Sequence, residues 1–233
     1  AVLPGYSPES RYQVVIRNLD LAISLGITTI VEPQNSLDDL SLFARARDEG
    51  RLGPRLVAAL FHPPWTKDED LDAFAIASRT YADDRFRVGP VKLYIDDVVE
   101  PHTAAFFEPY ATEPMTLGET FYGPDAFRDL IAKLDARGFQ TFTHAMGDRG
   151  IRTVLDAHEH ARAVNGIRDA RHQLVHVECP HPDDVPRFAE LGLVACMQPR
   201  HWGPDIAGVW RQAVGPERER WAAPFRSLDE KGV

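Results

Sequence analysis

The chain has little cysteine: only Cys179 and Cys196 occur among 233 residues, and neither sits in a C-x-x-C pair. Two isolated thiols cannot build a disulfide framework, so a reducing, cytoplasmic setting is the simpler expectation. Long apolar runs are also missing, which excludes a membrane-spanning helix. The opening stretch "AVLPGYSPES" has neither a charged flank nor an apolar core of the kind that directs export. Basic excess is absent too. The formal charge is −9 and the sequence pI is near 5.5, whereas a nucleic-acid surface needs clustered Lys and Arg. No G-x-x-x-x-G-K-[ST] loop is present, which removes the commonest phosphate cradle.

What remains is a globular composition, 44% hydrophobic and 26% charged, arranged as amphipathic helices alternating with short apolar strands. Ser7-Pro8 offers a cap and a first-turn proline, and Val15, Leu19, Ala22 and Ile23 then recur at helical spacing until Gly26. "ITTIV" follows, β-branched and expected to be buried on both faces. The alternation continues with a helix from about Ser36 to Glu49 and "RLVAAL", then a helix from about Lys67 to Thr80 and "VKLYI". A helix from about Pro124 to Arg137 leads to "FQTFTH", one from about Asp148 to Val164 to "QLVHV", and one opened by Pro182 to "LVACM". Six continuous apolar strands separated by helices predict an α/β fold with a parallel sheet, doubly wound or barrel-like, in one domain over 1–233.

One connection is too long for a simple crossover. Residues 96–123 carry five aromatic rings and several acidic groups, which predicts a packed, lid-like insertion rather than a loose linker. Polar residues gather at the C-terminal ends of the strands: Glu32, His62, Lys92, Asp96, His144, His176, Glu178, Gln198 and His201. In parallel α/β folds the loops at that rim converge on the site. His144 and His176 lie one βα repeat apart, so both imidazoles can face one mouth and serve as ligands of zinc or a similar ion. A strand-end histidine is as readily a hydrogen-bonded rim residue. Lys92 places an ammonium among apolar neighbours, and the plain explanation is a snorkelling or ion-paired lysine, with Asp96 for example. The H-x-H of "DAHEHARA" falls in a helix, where its two rings point in different directions and are expected to face solvent.

The runs "VKLYIDDVVEPHTAAFFEPY", "THAMGDRGI", "RHQLVHVECPHPDDVPRFAELGLVACMQPRH" and "AISLGITTIVEP" resemble the amidohydrolase superfamily, specifically its YtcJ-like branch, which includes N-substituted formamide deformylases. The resemblance implies a (β/α)8 TIM-type barrel and metal-dependent hydrolysis of amides or other non-peptide C–N bonds, with one or two zinc or other divalent ions. Lys92 then matches a strand-four lysine that is carboxylated to bridge metals, His144 the strand-five ligand and His176 the strand-six ligand. Asp96, Asp148 and Glu178 would orient ligands, and His201 would reach a small amide-like substrate. An H-x-H on strand one and an aspartate on strand eight have no counterpart in the sequence, which reads as strands two to seven; the flanking strands are expected outside it. Asp97 replaces a usual glycine and Val175 a common glutamate. The competing expectation is a truncated or degenerate barrel that binds a metal or small molecule without turnover, completing its core as a homo-oligomer.

Overall fold

The computed structural model describes residues 6–233; residues 1–5, read above as part of a segment without an export signal, lie outside the described residues. Two compact units divide the chain, Ala1–Lys92 and Leu93–Val233. The alternation read from the sequence is present in both, and the fold is α/β with six strands among the described residues.

In the first unit, helix α1 (Pro8–Ser24) starts where the serine–proline pair places it: Ser10 N–H donates to the Ser7 hydroxyl at 3.1 Å. Its inner stripe is Tyr12, Ile16, Leu19 and Ala22. Strand β1 (Thr29–Asn35), helix α2 (Asp39–Asp48), strand β2 (Arg55–Phe61), helix α3 (Asp68–Thr80) and strand β3 (Phe86–Tyr94) follow. β1 pairs parallel with β2, and β2 with β3. The core of this unit holds Leu56, Ala58 and Leu60 of β2 and Phe86, Val88 and Val91 of β3, together with Leu40 and Phe43 of α2 and Leu71 and Phe74 of α3, all buried. Two expectations need correction. β1 is not buried on both faces: Val31 is 43% exposed, because among the described residues β1 pairs with β2 alone. The second helix begins at Asp39 rather than Ser36, since the Asp39 carboxylate is turned back to accept from the Ser36 N–H and hydroxyl.

The second unit contains helix α4 (Pro124–Ala136), strand β4 (Thr141–Ala145), helix α5 (Asp148–Asn165), strand β5 (Gln173–His176), helix α6 (Val185–Leu191), strand β6 (Val194–Cys196), helix α7 (Pro204–Glu219) and helix α8 (Phe225–Asp229). β4, β5 and β6 are parallel neighbours. The proline at 182 opens a single 3-10 turn before α6 instead of the helix itself. The sequence reading assigns no element to α7, whose apolar periodicity is interrupted at Gly215 (φ 78°) and Pro216.

Residues 96–123 form neither helix nor strand, yet they are packed. Val99, Ala104, Phe106 and Tyr110 are buried against Met146, Cys179, Trp210, Ala213 and Val214. Two arginines hold the segment by its backbone. Arg149 donates to the carbonyls of Phe106, Leu117 and Gly118, and Arg218 to those of Glu108 and Pro109 while lying over the Phe106 ring. Gly118 is required: its φ is +64° and a Cβ would stand 1.9 Å from the Ala104 carbonyl oxygen.

At the opposite ends of β4 and β5 the helical H-x-H resolves differently from expectation. His158 is only 4% exposed, so it is no surface accident. Position i+3 of a buried α5 stripe, after Val154 and Leu155, places it inward. Its Nε2 lies 3.2 Å from the Thr141 hydroxyl, and its ring 4.5 Å from that of His172. Thr141 N–H donates to His172 Nδ1 at 3.0 Å, so Nε2 carries the ring proton and faces Asp135 at 3.2 Å. Burial pushes the pKa of both histidines below the usual value.

Two tests follow from this packing. Gly118→Ala is expected to lower unfolding free energy by about 1–3 kcal/mol, whereas Gly208→Ala, exposed in α7 with nothing within 4 Å of its Cβ, is expected to raise it by up to about 1 kcal/mol; urea titration reads both. Histidines whose folded-state pKa is depressed leave the unfolded chain binding more protons below about pH 6.5, so stability falls as pH drops through that value. Between pH 7.5 and 5.5 the loss attributable to His158 is expected to be about 1 kcal/mol, and His158→Gln should flatten the profile by that amount.

Candidate active site

The C-terminal ends of β4 and β5 present two imidazoles side by side. His144 is buried on β4, and His176 ends β5 in register with Ala145. Their rings are edge to face with centroids 4.6 Å apart. His201, following β6, stacks on His176 at 5.1 Å and 16°. Tyr94 covers His144 from the other side, with centroids 4.8 Å apart. His144 Nε2 lies 3.1 Å from the carbonyl oxygen of Asp97 and 3.9 Å from the Asp96 carboxylate.

The backbone beneath this cluster is strained. His176 and Val177 both have positive φ, 79° and 49°, and a β-branched residue there is a conformational outlier of the kind that concentrates at functional sites. The compensation is visible: Val177 N–H donates to the Ala145 carbonyl at 3.1 Å and Cys179 N–H to that of Met146 at 3.0 Å. The turn carries Glu178 inward.

Three buried carboxylates lie in this unit, two of them beside the histidines, with different work. Asp96 accepts from the N–H groups of Ala105, Met146 and Gly147 at 2.9–3.0 Å, tying the 96–123 segment to the end of β4. Burial pushes its pKa up to about 7 although these three donors pull it the other way. Gly147 and Gly150 permit that approach: a Cβ would stand 2.1 Å from the Ala105 oxygen at the first and 2.5 Å from Asp96 Oδ2 at the second. Glu178 bridges two aromatic rings, with His201 Nδ1 at 2.7 Å on one oxygen and Trp210 Nε1 donating at 2.8 Å to the other. Burial raises its pKa, opposed by the His201 contact. Asp148 stands apart from the imidazoles. It accepts from Phe107 N–H at 2.8 Å and Arg149 N–H at 2.7 Å, which makes it an anchor for the 96–123 segment.

The second unit thus brings together five of the expected residues, His144, His176, His201, Asp96 and Glu178. Lys92 belongs to the first unit, where it is 2% exposed, pairs in register with Phe61, and accepts the His62 N–H on its carbonyl at 2.9 Å. Tyr94 and Trp210 were not singled out from the sequence. The first was legible as an aromatic two residues after Lys92; the second lies on the unread α7. Among the described residues no three His, Cys, Asp or Glu side chains group to hold a metal ion. The paired imidazoles of His144 and His176 nevertheless match part of such a centre, supplying two of about three protein ligands that a catalytic zinc takes.

Asp96→Asn tests the anchoring. One acceptor oxygen cannot serve three N–H donors, and the new amide presents its own N–H groups to one of them. The expected cost is about 2–4 kcal/mol, read by urea unfolding, together with faster hydrogen exchange at the amides of Ala105, Met146 and Gly147.

The chain is similar in sequence and in fold to known proteins. The Arabidopsis thaliana Protein LONG AFTER FAR-RED 3 is 28% identical over 222 residues, which is 91% of this chain and 37% of the relative. The putative amidohydrolase YtcJ of Bacillus subtilis is 28% identical over 145 residues, 62% of this chain and 27% of the relative. Among solved structures, an uncharacterized metal-dependent hydrolase from Pyrococcus furiosus superposes with a TM-score of 0.78 at 23% identity, over 97% of this chain and 45% of that one. The chain therefore spans less than half the length of these proteins. Residues 7–233 match the model of the amidohydrolase family, and the chain belongs to that family.

Proposed function

We propose that this chain forms part of a metal-dependent hydrolase that cleaves amide or related non-peptide C–N bonds in small molecules. The observation that carries the reading is the edge-to-face pair His144 and His176 at 4.6 Å, backed by the His201–Glu178 couple. Family membership and the metal-dependent hydrolase of similar fold support it.

His144 and His176 would hold a divalent cation, zinc or a similar ion. By the resemblance of its sequence run, Lys92 would be a further ligand in carboxylated form. Such a cation supplies Lewis acidity, making water more acidic and a carbonyl more electrophilic. The rest falls to the protein. Asp96 fixes the loop after β4, and with it the backbone that follows His144, by accepting the N–H groups of Met146 and Gly147. Glu178 accepts the Nδ1 proton of His201, leaving Nε2 as the nitrogen turned to substrate. The packed segment 96–123 walls the cluster and excludes water from His144, which is buried. The composition, with two dispersed cysteines, fits the cytoplasm. Among the described residues no helix is long and apolar enough to cross a membrane.

A second reading is metal or ligand binding without turnover. Elemental analysis of the purified, dialysed chain, followed by assay of N-substituted formamides and simple amides, separates the two. The hydrolase reading expects bound divalent metal, with affinity reduced at least about 10-fold in His144→Ala and in His176→Ala, and amine release in the same preparations. Metal bound with no turnover in the chain or in a longer form of the protein would favour binding alone. Unchanged metal affinity in both histidine variants and in Lys92→Ala would remove the ligand assignment.

A further inference from the structure

Trp210 is fully buried on α7, and its indole N–H is spent on a single partner, Glu178 Oε2 at 2.8 Å. The other oxygen of the same carboxylate holds His201 Nδ1 at 2.7 Å. From these contacts we infer that Trp210 is a positioning residue: through Glu178 it sets the tautomer and the plane of the His201 imidazole. The role rests on the proposed hydrolase site, because His201 is the ring that site turns to its substrate.

The chemistry of the contacts runs in one direction. An indole nitrogen only donates, so Oε2 must accept, and the carboxylate is thereby fixed in the plane that leaves Oε1 for His201. A carboxylate oxygen that accepts requires the imidazole proton to be on Nδ1. Nε2 is then the lone-pair nitrogen, and no described residue bonds it. The ring so fixed lies flat on His176, 16° from parallel. Its chemical preference is for a donor, an N–H or O–H on the ligand, rather than for a carbonyl. A histidine side chain free in water favours the opposite tautomer, so the preference must be imposed, and Glu178 imposes it only while its own rotation is blocked.

Trp210 supplies that block from a rigid place. Its ring packs against Trp202 at 4.7 Å, and it shares a buried cluster with Val99, Phe106 and Tyr110 of the 96–123 segment. Beyond the kink at Gly215, Arg218 grips the carbonyls of Glu108 and Pro109. Helix α7 therefore registers the segment and the His201 ring against one another.

Long-range 1H–15N spectra of the chain labelled on its histidine rings, recorded at one pH, test the inference, with His201→Ala assigning the signals. In the wild-type protein His201 is expected as a single Nδ1–H tautomer. Trp210→Phe keeps the ring and deletes the donor; the His201 pattern should shift to the tautomer mixture of a free imidazole, while His158 and His172 signals stay in place and show that the fold persists. Glu178→Gln should release His201 in the same way. An unchanged His201 tautomer in Trp210→Phe overturns the inference, as does release in Glu178→Gln alone, which would make Trp210 a packing residue. If Trp210→Phe does not fold, the wild-type indole N–H decides: exchange with solvent as fast as that of Trp65, which is 79% exposed, overturns the bond. None of these readouts involves metal or turnover, so failure here leaves the hydrolase reading to its own test.

Discussion

The second unit depends most on one buried carboxylate, Asp96. Its two oxygens accept N–H groups from two separated stretches of chain, Ala105 in the 96–123 segment and Met146 with Gly147 after β4. A charged acceptor serving several backbone donors is a strong tie, and leaving any of those buried donors without it is costly. The same contacts explain why glycine stands at 147 and 150, since side chains there would displace either the Ala105 carbonyl or the carboxylate itself. Position and chemistry are thus joined: the group that fixes the loop also lies 3.9 Å from His144.

A second constraint is the reversal of the chain after β5. Two consecutive residues without glycine's freedom, His176 and Val177, take the left-handed region. Such backbone persists only where its surroundings determine it, and here they do so through hydrogen bonds to Ala145 and Met146 and through the two bonds of Glu178. The ring of His176 is consequently placed by the loop as much as by the strand. This is the local geometry that lets His144, His176 and His201 form a continuous row of rings.

Much of the fold was legible in the sequence because strands and helices alternate with strong periodicity. Ser7 and Pro8 open α1, and His144 and His176 cluster as strand-end residues one βα repeat apart, although the register sets His176 beside Ala145 rather than His144. Three features were not legible, each for a physical reason. The exposure of β1 depends on which strands flank it, which local pattern does not encode. His158 looked like half of a surface pair, and its burial comes from tertiary contacts with Thr141 and His172. Trp210 sits on a helix whose apolar spacing is broken by Gly215 and Pro216, so neither the helix nor the indole's role was readable. Contacts between residues distant in sequence, Asp96 with Gly147 or Glu178 with Trp210, carry no local signature at all.

The grip of Arg149 and Arg218 on the 96–123 segment bears on kinetics. Five carbonyl oxygens of that segment are held by two guanidinium groups, and one of those groups also rests on an aromatic face. Opening it would require breaking several charge-assisted bonds at once, with the burial of Phe106 and Tyr110 lost in the same event. The segment therefore behaves as a stationary wall. If the proposed hydrolase site is right, exchange of small molecules at the histidine row would be governed by diffusion past a fixed contour, and residence time by the molecule's own contacts rather than by the frequency of a moving gate.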